Sequence, residues 1–167
     1  MFTFLLGLCL ASRSSFAQDA PEPWRLEGHD VVLSSPVTFE TSSATLTADA
    51  SPALDAIKAY LDAKSYISTL RIEGHVAEGG DPTANQALTE QRALAVSRAL
   101  VARGVDCKRL LPVGFGSNKP VADGSTPEGR AQNTRVAFVN AALRDRAIGG
   151  LPLDGGARVA GDPCVAP

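Results

Sequence analysis

Leu70-Arg71-Ile72-Glu73-Gly74-His75-Val76 and, five residues later, Pro82-Thr83-Ala84-Asn85-Gln86-Ala87-Leu88-Thr89-Glu90-Gln91-Arg92-Ala93 are the stretches whose reading decides the fold. In the first, Leu70, Ile72, Gly74 and Val76 point one way, while Arg71, Glu73 and His75 point the other. This is the two-residue period of a strand. The second opens on an acid, Asp81, followed by Pro82 at the first helical position. It runs with helix-forming residues to Arg103, where Gly104 supplies the stop. Gly79-Gly80 lies between them, so the pair reads as strand, tight loop, long helix.

Working outward, the same signals recur. Val31 to Phe39 is a strand pattern broken by Ser34-Ser35-Pro36. Ser51-Pro52 starts a helix with Ser51 as its cap, and Leu54, Ile57 and Leu61 share one face until it ends near Lys64. Arg109 to Phe115 reads as a third strand. Asn118 to Thr126 is a loop, and Thr126-Pro127-Glu128 opens a short helical turn ending near Gln132. Arg135 to Val139 is apolar on both faces and belongs inside a sheet. Strands alternating with helices predict an α+β domain, with helices on one face of a mixed sheet.

A length of 167 residues suits one domain with tails. The net charge of −2 gives no basic field, which argues against nucleic acid as a partner. Phe2 to Leu10 is apolar but far shorter than the roughly 20 residues that span a bilayer. With Ser15-Phe16-Ala17 after it, it reads as an export signal cleaved after Ala17. A lipoprotein reading through Leu6-Gly7-Leu8-Cys9 places bulky Leu8 where a small residue is expected. Cleavage after Ala17 leaves Cys107 and Cys164, an even pair that an oxidising compartment would bridge; the alternative is two free thiols. No metal-ligand spacing accompanies them. The domain plan is therefore a signal over 1–17, a linker over 18–28, a folded domain over 29–140 and a tail over 141–167 tethered by the disulfide.

Arg92 is the most telling side chain. At about 100° per residue, Ala95 and Ala99 fall within about 20° of Leu88, and Arg92 lies about 40° from it, with Asn85 near 60°. Arg92 thus falls on the stripe expected to face the core. A guanidinium there needs an anion or several acceptors. An internal acid (Glu73, Glu78 or Asp81) and the carboxylate of a ligand are both open at this point. The two histidines, His29 and His75, are ordinarily structural when isolated like this. Gly114-Phe115-Gly116 lacks the third glycine and following helix of a dinucleotide site. No Ser-His-Asp or Cys-His set stands out.

Taken together, Gly74-His75, Leu88-Thr89-Glu90-Gln91-Arg92-Ala93, Gly114-Phe115-Gly116 with Pro120, and Asn133-Thr134-Arg135-Val136 resemble the OmpA-like C-terminal domain (the OmpA, MotB and Pal type) over about 100 residues, from Val37 to Val139. The resemblance implies a β/α/β/α/β sandwich, with two main helices packed on one face of a mixed four-stranded sheet. It implies a non-catalytic periplasmic module, outer-membrane associated, without cofactor. Such a module anchors an envelope component by binding peptidoglycan through the diaminopimelate residue of its stem peptide.

By that resemblance Arg92 grips the diaminopimelate carboxylate, and the ligand set is Arg92, Asn85, Leu88, His75, Val76, Ala77, Asn133 and Thr134. Arg130 and Arg135 hold loop and strand. Two positions depart from the family. Ala77 stands where the family has the aspartate that takes the ligand's ammonium, and Thr134 stands where it has an arginine. Glu78 and Asp81 are near enough in sequence to replace the lost carboxylate. The other outcome is a domain that has lost the ligand and serves as a structural or protein-interaction subunit of an envelope assembly.

Overall fold

The computed structural model describes residues 22–148 and 155–165. The leader expected over 1–17, its cleavage site and Cys9 lie outside those residues. The elements in chain order are β1 (Trp24–Glu27), β2 (Asp30–Leu33), α1 (Ser51–Ala63), β3 (Ile67–His75), α2 (Pro82–Val101), β4 (Leu110–Gly114), α3 (Pro127–Asn133), β5 (Arg135–Leu143), β6 (Arg146–Ala147) and β7 (Arg158–Val159). They form one mixed sheet in the order β1-β2-β5-β3-β4-β7, with β6 paired to β5. β3 and β4 are parallel, with α2 as the crossover between them. β5 lies antiparallel between β2 and β3, a central place that suits its apolar sequence.

The fold class matches the expectation, but the sheet is wider. Seven strands are present among the described residues, against four expected. β1 forms inside the stretch expected as a linker, pairing Trp24 with Leu33 and Glu27 with Asp30. Two residues of the C-terminal tail form β7, on the outer edge of β4. The predicted cap on α1 is also displaced. A 3-10 turn at Ala48–Ala50 runs straight into the helix, so Ala50 takes the cap position. Ser51 instead accepts a hydrogen bond from Arg103 Nη2 at 3.0 Å. Asp81 and Thr126 do cap their helices, accepting from the amides of Thr83 and Gly129.

The core lies between the helices and one face of the sheet. Leu54, Ile57, Tyr60 and Leu61 of α1 meet Val96 and Leu100 of α2 over Leu70, Ile72 and Phe138. Full burial of each large aliphatic chain contributes about 1.5–3 kcal/mol. The buried side of α2 is not the one its apolar residues suggest. Gln86, Thr89, Ala93, Val96, Ser97 and Leu100 are buried, while Leu88, Ala95 and Ala99 are only half-buried.

The cause is backbone contact at the strand ends. A Cβ on Gly74 would sit 2.3 Å from the carbonyl oxygen of Thr89, and one on Gly114 would sit 2.5 Å from the amide nitrogen of Glu90. With no side chains there, the first turns of α2 rest on the strands and their polar groups pair directly. Gln86 Nε2 donates to Gly114 O at 2.7 Å, and Gly116 N donates to Thr89 Oγ1 at 2.9 Å. The buried face is thereby centred about 130° from the stripe expected around Leu88, at about 100° per residue.

Cys107 and Cys164 are bridged, 57 residues apart. Closing a loop of that length stabilises by roughly 4 kcal/mol in the chain-entropy account. The bridge pins the tail that supplies β7.

Candidate functional site

The rotation of α2 moves Arg92 from the core stripe to its flank, and this creates the site. Arg92 is half-buried. Its Nε donates to Ser43 O at 2.8 Å, and its Cζ lies 4.8 Å from the centre of the Phe39 ring. The acceptor is held by a compact turn. Phe39 bridges Leu46, Glu40 N donates to Thr45 O, and Thr45 N donates to Ser43 Oγ.

Burial pushes the guanidinium below its ordinary value, with nothing opposing it. It stays cationic all the same, since arginine does not lose its proton in proteins. Among the described residues Arg92 has no ion pair, and neither terminal nitrogen makes a hydrogen bond. Arg92 lines a cleft of about 210 Å³ together with Val37, Phe39, Thr134 and Arg135. Two guanidiniums and no carboxylate line this cleft, so it suits an anion, and the planar fork suits a carboxylate.

The remaining candidates fall into two groups. Thr134 lines the cleft, and its hydroxyl accepts from the Ala77 amide at 3.2 Å. The two departures from the family pattern are therefore direct neighbours, a neutral pair in place of two charges. Arg135, expected only to hold the strand, also lines the cleft; its bonds to the carbonyls of Asn133 and Lys119 are long, at 3.3 and 3.4 Å. Asn85 donates to Gly79 O at 2.6 Å and shapes the loop before α2. Val76 gives its amide to Gly116 O, and Leu88 is half-buried without lining the cleft.

Asn133 and His75 both make hydrogen bonds within the fold. Asn133 is 1% exposed, accepts from the amides of Val121 and Ala122, and donates to Ala122 O. Arg130 similarly holds the carbonyls of Gly124 and Ser125. The acids nearest in sequence, Glu78 and Asp81, do not line the cleft. Asp81 caps α2, and Glu78 is exposed without an ion pair among the described residues.

His75 belongs to a charge cluster on the sheet face away from α1 and α2. Arg71, Glu73 and His75 are all buried there. Arg71 Nε donates to Glu73 Oε1 at 2.6 Å, and His75 Nε2 donates to Glu73 Oε2 at 3.1 Å. The imidazole stacks on Phe115, with ring centres 5.0 Å apart. Lys119 Nζ lies 4.2 Å from that phenyl ring. Burial holds His75 below its ordinary value, so the ring is neutral with Nε2 protonated, and Nδ1 is buried without a partner. Burial pushes the Glu73 carboxyl up, but the His75 bond and the Arg71 guanidinium outweigh it and leave it below the usual range.

Phe39, Ser43 and the wall at Val37 were not legible as site residues. They come from a stretch with no chemical motif.

Comparison with known proteins accords with this geometry. The chain is 36% identical over 150 residues to the outer-membrane lipoprotein YfiB of Pseudomonas aeruginosa, covering 83% of this chain and 89% of that protein. It is 38% identical over 112 residues to the probable lipoprotein YiaD of Escherichia coli, covering 65% of this chain and half of that one. The crystal structure of the peptidoglycan-associated lipoprotein from Burkholderia pseudomallei superposes with a TM-score of 0.56 at 32% identity, over 63% of this chain and 88% of that one. The family model for OmpA matches residues 38–134, and the chain belongs to the OmpA family.

Proposed function

We propose that this chain is a non-catalytic, periplasmic module of the cell envelope that holds peptidoglycan by a carboxylate of the stem-peptide diaminopimelate. The observation that carries the reading is Arg92, a half-buried cation that lines a cleft and whose terminal nitrogens have no partner among the described residues. A guanidinium at a cleft with free donors on its planar fork is placed to take a carboxylate. The likeness to a peptidoglycan-associated lipoprotein supports the same ligand class.

A charge-assisted bond of this kind contributes about 1.5–3 kcal/mol. Arg92→Ala should therefore weaken binding of a diaminopimelate-containing stem peptide roughly tenfold to a hundredfold, as read by calorimetry. Purified sacculi should pull down the native chain and release the variant. Equal retention of the two would remove Arg92 from the site.

A second reading is a module without the ligand, serving as a structural or protein-interaction part of an envelope assembly. It is favoured by the neutral Ala77–Thr134 contact, where the family pattern would place opposite charges. It requires that the native chain give no heat with the stem peptide, and that Ala77→Asp with Thr134→Arg create binding.

A further inference from the structure

The charge inside the Arg92 cleft is one-sided. Its lining holds Arg92 and Arg135 and no acid. Neither guanidinium has an ion pair among the described residues. Glu73 and Asp30 act on Arg135 from a distance, but neither lines the cleft. Asp30 pairs with Val139, four residues of strand from Arg135, about 13 Å at roughly 3.3 Å per residue. The neutral side of the cleft is Thr134, whose hydroxyl accepts from the Ala77 amide. A hydroxyl also carries one hydrogen to donate, and that of Thr134 has no acceptor among the described residues. Beyond Val37, Arg135 and Val136, which the two share, lies a second cavity of about 280 Å³. Most of its walls are apolar, Val31, Leu33 and Phe138 among them.

An amino-acid head group brings a carboxylate and an amine on one carbon. The carboxylate suits the two guanidiniums. A free amine is an ammonium, and here it would sit beside two cations, leaving water with no acid to meet it. Acylating the amine removes that charge. We infer that the cleft selects a carboxylate whose neighbouring amine is acylated, and disfavours the zwitterion in which that amine is free. The inference rests on the reading that Arg92 takes a diaminopimelate carboxylate, and it names which form of that residue is held. An acyl carbonyl accepts the hydrogen of the Thr134 hydroxyl, whereas an ammonium has only hydrogens to give. The rest of the acyl group continues into the second, apolar cavity. In peptidoglycan this amine is free on a stem peptide that stands alone and amide-linked where two stems are joined, while the carboxylate beside it takes no part in the link. The chain therefore holds cross-linked wall in preference to single stems. The protein's net charge of −2 would by itself favour the ligand that keeps its ammonium, so the expected preference runs against the bulk field.

The test is calorimetry with diaminopimelate blocked at one centre, its amine acylated and its carboxylate amidated as within a stem, so that only the other centre is offered. One probe keeps the amine of that centre free, and a second has it acetylated; the carboxylate is free in both. The acetylated probe should bind the native chain about tenfold more tightly. Arg92→Ala should weaken both. Ala77→Asp puts a carboxylate next to Thr134 and should reverse the order, tightening the free-amine probe and weakening the acetylated one. Equal affinity of the native chain for the two probes, or tighter binding of the free-amine probe, overturns the inference. If Arg92→Ala still weakens binding in that case, the Arg92 reading stands and only the selectivity is wrong. An Ala77→Asp chain that keeps its native circular dichroism and the native order of affinities also overturns the inference. If neither probe binds, the inference falls, and the stem-peptide titration of Arg92→Ala then decides the Arg92 reading by itself.

Discussion

Arg71 and Arg92 meet burial in opposite ways. Arg71 lies within the sheet, against Glu73, which His75 also bonds, so its charge is met by an internal carboxylate. Arg92 lies at the rim of a cleft, against a backbone carbonyl and a phenyl ring, with its outer nitrogens free of described partners. Arg71 leaves water almost wholly and Arg92 only in part, and only Arg71 is neutralised from within. On the proposed function, the difference separates a group that holds the sheet from a group that takes a ligand. Sequence spacing alone could not make that separation, because an internal acid was open as a partner for Arg92 until the ion pairs were seen.

The sharpest break of this comparison is at Glu73. Replacing it with glutamine leaves Arg71 buried without its countercharge, a change that typically costs 3–5 kcal/mol. Urea unfolding of Glu73→Gln should show a loss of about that size. Arg92→Ala should do the reverse. It removes a half-buried cation that nothing internal neutralises, so stability should change by less than about 1 kcal/mol, while stem-peptide affinity falls by the larger amount given above. Were Glu73→Gln neutral and Arg92→Ala strongly destabilising, the two roles would have to be exchanged.

Gly74 gives a test of similar scale. It bears on how Arg92 reaches the rim. The apolar pattern of α2 put Leu88, Ala95 and Ala99 toward the core, and elementary helix geometry supports that choice. The native rotation instead buries Thr89 and Gln86, because Gly74 and Gly114 let the helix backbone rest on the strands. The strands, the helices and their order were legible because period, caps and glycine stops are local. The rotation was not, because it depends on a contact between residues 15 positions apart. A methyl at Gly74 would meet the Thr89 carbonyl at 2.3 Å and force the helix away. Gly74→Ala should therefore cost about 1–3 kcal/mol as an overpacking change. It should also weaken stem-peptide binding, though it touches no ligand, because α2 carries Arg92. Unchanged affinity with lowered stability would show that the cleft tolerates helix movement.

The smallest expected effect is on pH dependence, and it probes the neutralised side of the comparison. His75 is held below its ordinary value of 6.5 by burial, with the Glu73 bond opposing and the cations Arg135 and Lys119 reinforcing. The folded state then resists protonation that the unfolded chain accepts, so the stabilising contribution is complete above pH 6.5 and is lost as the pH falls through and below that value. The Glu73 carboxyl is held net below its ordinary 4.5, so its contribution is complete above that point and is lost only as the pH falls further. Stability should thus decline in two acid-side steps, the first from His75 and the second from Glu73. His75→Gln keeps an amide donor for Glu73 but does not titrate. Thermal unfolding of this variant should be flatter than the native chain between pH 7 and pH 5, while retaining the steeper fall in stronger acid. The Arg92 cleft contains no carboxylate or imidazole, so stem-peptide affinity at Arg92→Lys and at the native residue should follow the same pH course over that range. A native chain with no slope between pH 7 and pH 5 would mean that the imidazole titrates alike in the folded and unfolded chain, and a slope of the opposite sign would mean that it is protonated in the fold, with two cations on one acid.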